Sequence, residues 1–299
     1  MSFLSATGGG GVDASGGTTV TTFTDNTGTE YRVHAFENVG SDTFTVNEGG
    51  EVDVLIVAGG GSGGVDNGGG GGGGGVIDRN ISISPGNYTI SVGDGGDARP
   101  GGADHGRGNP GEDTSGFGLT ALGGGVGTGW DMDNNSNPSS QPLDGGSGGG
   151  QGASNDGVHP SGVGQGLQPN SAGGGLGNDG GSGITNYGGG GGGAGSSGTD
   201  GNSSVGGTGA EPLELNGKYS NVVPTDSVGA GGTGGWNDSQ GFSVSNSPIS
   251  NNGVPKRGNT QADEQPSPPN TGHGGHGGNT NNQTSGAGGS GIVVIRYEI

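Results

Sequence analysis

GGGGGGGG, residues 68–75, is the stretch whose reading decides the fold. Six more consecutive glycines stand at 188–193, and GG and GGG clusters fill the chain between them. Glycine has no Cβ, so it serves where backbone must approach backbone. It also costs roughly 0.5–1 kcal/mol per residue relative to alanine in regular structure. Over 86 glycines that is on the order of tens of kcal/mol, against a net domain stability of about 5–15 kcal/mol. The glycines must therefore gain something that no other residue can. A helix bundle is excluded, because such a run has no apolar stripe to bury. A left-handed extended helix with three residues per turn has no internal hydrogen bonds. Its N–H and C=O groups all point outward and need partners. Segments of this kind lying side by side can supply those partners to one another, provided no side chain intrudes. The reading is a bundle of polyglycine-II rods.

Outward from that run, the apolar residues gather into strand-like pieces. TTVTTFT (18–24) is β-branched, YRVHAF (31–36) alternates with period two, and DTFTV (42–46) sets Phe44 and Val46 on one face. VDVLIVA (52–58) is a continuous apolar run, as expected of a central strand covered on both faces. VIDRNISI (76–83) and YTISVG (88–93) flank a Pro-Gly-Asn turn, and GIVVIRYEI (291–299) closes the chain. The expected fold is all-β plus polyglycine-II with essentially no α-helix. In it, a jelly-roll-like β-sandwich of residues 1–93, completed by 291–299, carries a rod bundle of residues 94–290. Residues 130–142, 211–226 and 236–270, poorer in glycine, read as loops between rods.

Composition limits the chemistry. There is no cysteine, so neither disulfides nor thiolate metal sites are available. The N-terminal MSFLSATGGGG has neither the basic nor the apolar region of a secretory signal, and no run reaches the length of a membrane helix. A net charge of −20 with 8 Lys and Arg argues against binding nucleic acid. Gly59, Gly61 and Gly64 match G-x-G-x-x-G, and Ser62 and Ser147 each sit in G-x-S-x-G. Both motifs need a following helix, and glycine follows instead. Sparse titratable residues point to a non-enzyme without a cofactor.

Binding residues are sought among the rare aromatics. Trp130, Tyr187, Tyr219 and Trp236 stand in a polar field, and Asp131, Asp133, Asn237 and Asp238 follow the two tryptophans. Rigid rings beside Asn and Asp suit a recognition tip for sugars or protein. The competing reading has each ring filling a gap at a rod end. His273 and His276 lie three apart and share a face of a three-residue rod, which makes them weak metal candidates, with a solvent-exposed pair as the default. GGLGNDG (174–180) matches a calcium repeat in part, but once only. Asp131 and Asp133 offer carboxylates to calcium in what is otherwise a solvated loop.

VDVLIVAGGGSGG (52–64), YTISVGDGG (88–96), SGFGLTALGGG (115–125) and GGSGIVVIRY (288–297) follow one another in that order. The ordered set resembles the glycine-rich domain of bacteriophage tail-fibre and adhesin-type virion proteins, from Tyr31 to Tyr297. The resemblance implies a structural or host-recognition protein of the virion with no catalytic residues. Its implied partners are other virion proteins and a host cell-surface glycan or protein. It implies a homo-oligomer, a trimer by the habit of fibres, made in the host cytoplasm and carried on the virion. The alternatives are a capsid decoration or head-fibre protein, and an ice-binding or surface-matrix protein on the same scaffold. Irregular stretches such as 248–269 argue against the flat array that ice binding needs.

Overall fold

A computed structural model describes residues 11–101, 106–130, 143–154, 162–171, 173–202, 207–219, 222–224, 226–235, 266–279 and 283–299. Among the described residues there is no α-helix, and the one helical element is a 3-10 turn at Gln168–Asn170. Two open antiparallel sheets of five strands face each other. The first contains β1 (Asp13–Ser15), β4 (Gly40–Glu48), β7 (Gly86–Val92), β8 (Thr114–Gly116) and β9 (Leu119–Ala121), in that order. The second runs β2 (Thr19–Thr24), β3 (Glu30–Phe36), β12 (Ile292–Glu298), β5 (Gly50–Val57), β6 (Val76–Ile83). A short pair, β10 (Leu213–Glu214) and β11 (Ser227–Val228), stands apart.

The seven stretches expected as strands all form strands, with ends shifted by a residue or two. β1, β8 and β9 have only three residues each, too few for a period to register in sequence. β8 and β9 also extend the first sheet with residues from beyond position 93, through Ser91 paired with Ser115. The C-terminal β12 lies between β3 and β5, with Ile295 opposite both His34 and Val54.

β5 explains its own unbroken apolar run. Val52, Val54 and Ile56 enter the core between the sheets, with Phe36, Phe44, Ile90 and Ile295. Leu55 and Val57 point the other way, into a second cluster with Val228, Tyr219 and Val294. Side chains alternate along a strand, so a strand covered on both faces must be apolar throughout. The cover on the second face comes from the 211–228 region and from the glycine-rich segments.

The glycine-rich part has its own rule of order. Gly68, Gly71 and Gly74 donate their N–H groups to the carbonyls of Gly278, Gly275 and Gly272. Gly69, Gly72 and Gly75 donate to Thr128, Gly125 and Leu122, while Gly70 and Gly73 donate to Gly189 and Gly192. Acceptance follows the same step. Gly69, Gly72 and Gly75 accept from Gly64, Gly61 and Ala58. Gly70 and Gly73 accept from Gly150 and Ser147, and Gly68 and Gly71 from Gly235 and Gly232. Each third residue turns to the same neighbour, so residues 68–75 are ringed by six segments. A strand, with period two, reaches neighbours on two sides only.

Close approach explains the composition. A Cβ on any residue from Gly68 to Gly74 would stand 2.0–2.3 Å from a neighbour's carbonyl oxygen. On Gly75 it would meet the Gln168 side chain at 2.3 Å. The run therefore has no room for alanine. Residues 58–64 reverse into residues 68–75 through Asp66 and Asn67, whose φ of 59° and 54° lies in the left-handed region that short polar side chains tolerate.

Candidate functional site

The glycine layer has two ends. At the end marked by Gly75, Ala58 and Val76 lead into β5 and β6, Leu122 follows β9, and Gly229 follows β11. That end is joined to the sheets. The opposite end is marked by Gly68, and several segments stop there. Thr128, two residues before Trp130, accepts the N–H of Gly69, and Gly235 donates its N–H to the carbonyl of Gly68 at 2.6 Å. Asn279 accepts the N–H of Asn67, Ala153 donates to Asn67, and Gly207 donates to Gly188. Two adjacent glycines of the central run thus pin the segments that lead to Trp130 and to Trp236. They do so on the side away from the sheets.

Trp130 is half-buried there. Asp131, Asp133, Trp236, Asn237 and Asp238 lie outside the described residues. Tyr187 closes a tight turn with Ile184 at the same end, and it is buried at 6% exposure.

Tyr219 is elsewhere and has another task. It is fully buried against the second sheet, with its hydroxyl 2.6 Å from Asp78 Oδ1. Burial, reinforced by the Asp78 charge, pushes its phenol well above the ordinary range. Lys218 pairs with Asp78 at 2.7 Å, and Arg296 pairs with Asp53 at 2.6 Å. Arg296 also donates to the Lys218 carbonyl at 2.7 Å and stacks over Tyr31 at 4.3 Å. These contacts anchor the 211–228 region to β5, β6 and β12. As a surface contact residue Tyr219 is corrected, because its ring fills the space between sheet and loop.

The histidine pair also needs correction. His273 and His276 are buried, at 0% and 1% exposure, not solvent-exposed. The three-residue step turns both toward residues 229–235, which repeat with the same step. The Ala230 N–H donates to His273 Nδ1 at 3.0 Å, and the Thr233 N–H to His276 Nδ1 at 3.4 Å. The Thr233 hydroxyl stands 2.7 Å from His276 Nδ1. His273 is thus the neutral tautomer with its proton on Nε2, and that atom is buried without a hydrogen-bond partner. Burial pushes the His273 pKa down to about 4. Among the described residues no three His, Cys, Asp or Glu side chains gather as a metal site.

Other motif residues are built into the lattice. Ser62 is buried and its Oγ accepts the Asn109 N–H at 2.7 Å; Ser147 is also buried. Gly59, Gly61 and Gly64 run antiparallel to residues 69–75 and open no helix. Within 174–180, Asp179 accepts the Gly166 N–H and Asn178 donates to the Gly193 carbonyl, both at 2.8 Å. Among the described residues no helix is long and apolar enough to cross a membrane.

What sequence reasoning missed is the gathering of segment ends at Gly68. The signal was present as polar, glycine-poor stretches after Trp130, Ser154 and Gly235, but nothing local says that Trp130, Ser154 and Gly235 themselves share an end. A family model described as a glycine-rich domain matches residues 36–298. A search of curated proteins found no match.

Proposed function

The chain belongs to this glycine-rich domain family, and on that footing we propose that it is a non-catalytic structural protein that displays recognition loops on a rigid glycine scaffold. The segments of the glycine layer are polyglycine-II rods in this reading. Support comes from the three-residue step of both donors and acceptors in residues 68–75. The β part is the mount, a jelly-roll-like sandwich that holds one end of the layer.

The observation that carries the reading is the pinning of Thr128 and Gly235 by Gly69 and Gly68. It sets Trp130 and Gly235, the residue that precedes Trp236 in the sequence, at the end remote from the sheets. A scaffold of hydrogen-bonded backbone loses little entropy when a partner docks, so the binding free energy of the loops is retained. The resemblance to phage tail-fibre and adhesin domains assigns the partner class: a host cell-surface glycan or protein on one side and other virion proteins on the other. The net charge of −20 opposes nucleic acid as a ligand. A position on the tail or on the capsid surface fits this role, and a homo-oligomer is its expected form.

Mass spectrometry and immunogold labelling of purified phage particles test it. Label on tail or head surface is expected. Absence of the protein from particles overturns the virion role.

A further inference from the structure

Eight lysines and arginines stand against 28 acidic residues in this chain, and two of the eight come to neighbouring positions at the Gly68 end of the glycine layer. Residues 106–112 form one segment of that layer. The Gly106, Asn109 and Glu112 carbonyls accept the N–H groups of Val65, Ser62 and Gly59, while Gly108 and Gly111 donate to Gly127 and Gly124. Two of the three directions open to this segment are thereby used. Arg107 and Pro110 take the third, and both are half-buried. The pairing with 124–127 runs antiparallel, 111 to 124 and 108 to 127. Arg107 therefore stands two residues short of the level of Trp130, about 6 Å at the rise of a three-residue helix. The Arg99 guanidinium lies over Gly106, where a Cβ would come within 2.6 Å of its Nε.

Arg107 has no counter-charge in the fold. Its Nε is buried without a hydrogen-bond partner. Among the described residues, ion pairs engage Lys218 and Arg296, and none engages Arg107. Burial alone lowers its pKa, with no carboxylate acting against it. A guanidinium keeps its charge at any working pH, and a partly desolvated charge without an opposite one is costly. A chain of net charge −20 has carboxylates to spare, yet none is placed here. We propose that Arg107 binds the carboxylate of an acidic sugar unit, in a field that Arg99 makes more positive. The planar fork of a guanidinium matches a carboxylate in shape and charge. Charge complementarity selects an anion at this spot, and the net charge of the whole protein favours one charge per sugar unit over a dense polyanion. The inference rests on the recognition reading above and gives its glycan a chemical class.

Sodium glucuronate titrated into the full chain at constant ionic strength tests it. Glucose is the neutral control and sodium phosphate the competing anion. Two-dimensional NMR follows the Arg107 Nε–H and the backbone amides. Glucuronate is expected to shift the Arg107 Nε–H and the Gly108 amide saturably, and glucose and phosphate to leave them near their starting positions. Arg107→Gln is expected to weaken glucuronate binding about tenfold or more, with the amides of residues 68–75 unmoved as the mark of an intact layer. Arg107→Lys keeps the charge without the fork, and its affinity is expected to fall between the two. The proposal is overturned if glucuronate gives no saturable shift, or if Arg107→Gln or Arg107→Lys binds as wild type. A phosphate shift as large as that of glucuronate marks an adventitious ion only, and overturns it too. Particle labelling reads the virion role separately. A protein found on particles whose Arg107 ignores glucuronate loses this inference alone, whereas glucuronate binding by a protein absent from particles upholds the site and removes the role.

Discussion

The Gly72 N–H donates to the Gly125 carbonyl at 2.8 Å, across a gap that no side chain could enter. A Cβ on Gly72 would stand 2.1 Å from the Ser147 carbonyl oxygen. That oxygen belongs to backbone held by bonds of its own, so it has nowhere to retreat. The whole glycine layer repeats this relationship, and its stability rests on peptide groups satisfying each other.

Gly72→Ala is therefore expected to cost about 3 kcal/mol or more, the upper range for overpacking in an interior. Ser197→Ala, at an exposed position, should stay within about 0.5 kcal/mol. Urea denaturation of the two variants checks the difference. Equal midpoints would show that the layer yields around a methyl group.

Acid should loosen the layer through His273. Its folded pKa of about 4 lies below the unfolded value of 6.5. The unfolded chain thus takes up the proton first. Stability is full above about pH 6.5 and falls as pH drops toward 4, by about 3 kcal/mol in all. Protonated Nδ1 would also face the Ala230 N–H donor to donor. His34, whose pKa burial likewise lowers, adds in the same direction. His273→Gln is expected to flatten the slope between pH 6.5 and 4, and denaturant midpoints across that range measure it.

Arg296 holds the 211–228 region to the second sheet. Arg296→Ala removes the ion pair to Asp53, the bond to the Lys218 carbonyl and the stack over Tyr31. A loss of about 2–3 kcal/mol is expected, since a partly buried carboxylate keeps no cation beside it. Arg296→Lys should recover less than half, because an ammonium cannot make the forked contact or the stack. Thermal unfolding of both variants gives the comparison.

Tyr219 and Trp130 should separate stability from recognition. Tyr219→Phe deletes the hydroxyl bonded to Asp78 and is expected to cost about 1.5–3 kcal/mol with adsorption to host cells unchanged. Trp130→Ala is expected to leave the unfolding temperature near wild type and to weaken adsorption. Paired adsorption and calorimetry measurements decide it. A Trp130→Ala protein that adsorbs normally removes that ring from the recognition surface.

Much of this molecule was legible in its residues. Period two marked β3, and the unbroken apolar run of β5 foretold a strand covered on both faces. The glycine run foretold backbone packed on backbone, because the absence of a Cβ is a property of each residue taken alone. The three-residue spacing of His273 and His276 placed them on one face, again a local matter. Which way that face turned was not local. It is buried because residues 229–235 offer N–H groups with a matching step, and those lie some forty positions away in the chain. Tyr219 likewise read as a recognition ring until Asp78, distant in sequence, accepted its hydroxyl.

From the chain alone come the strands, the turns and the need of each glycine segment for outside partners. Every N–H in such a segment points away from its own backbone, and residue type carries no record of which distant carbonyl it meets. Glycine next to glycine is the same everywhere, so register, the six-fold neighbourhood of residues 68–75 and the gathering of segment ends at Gly68 were decided only by the packed whole.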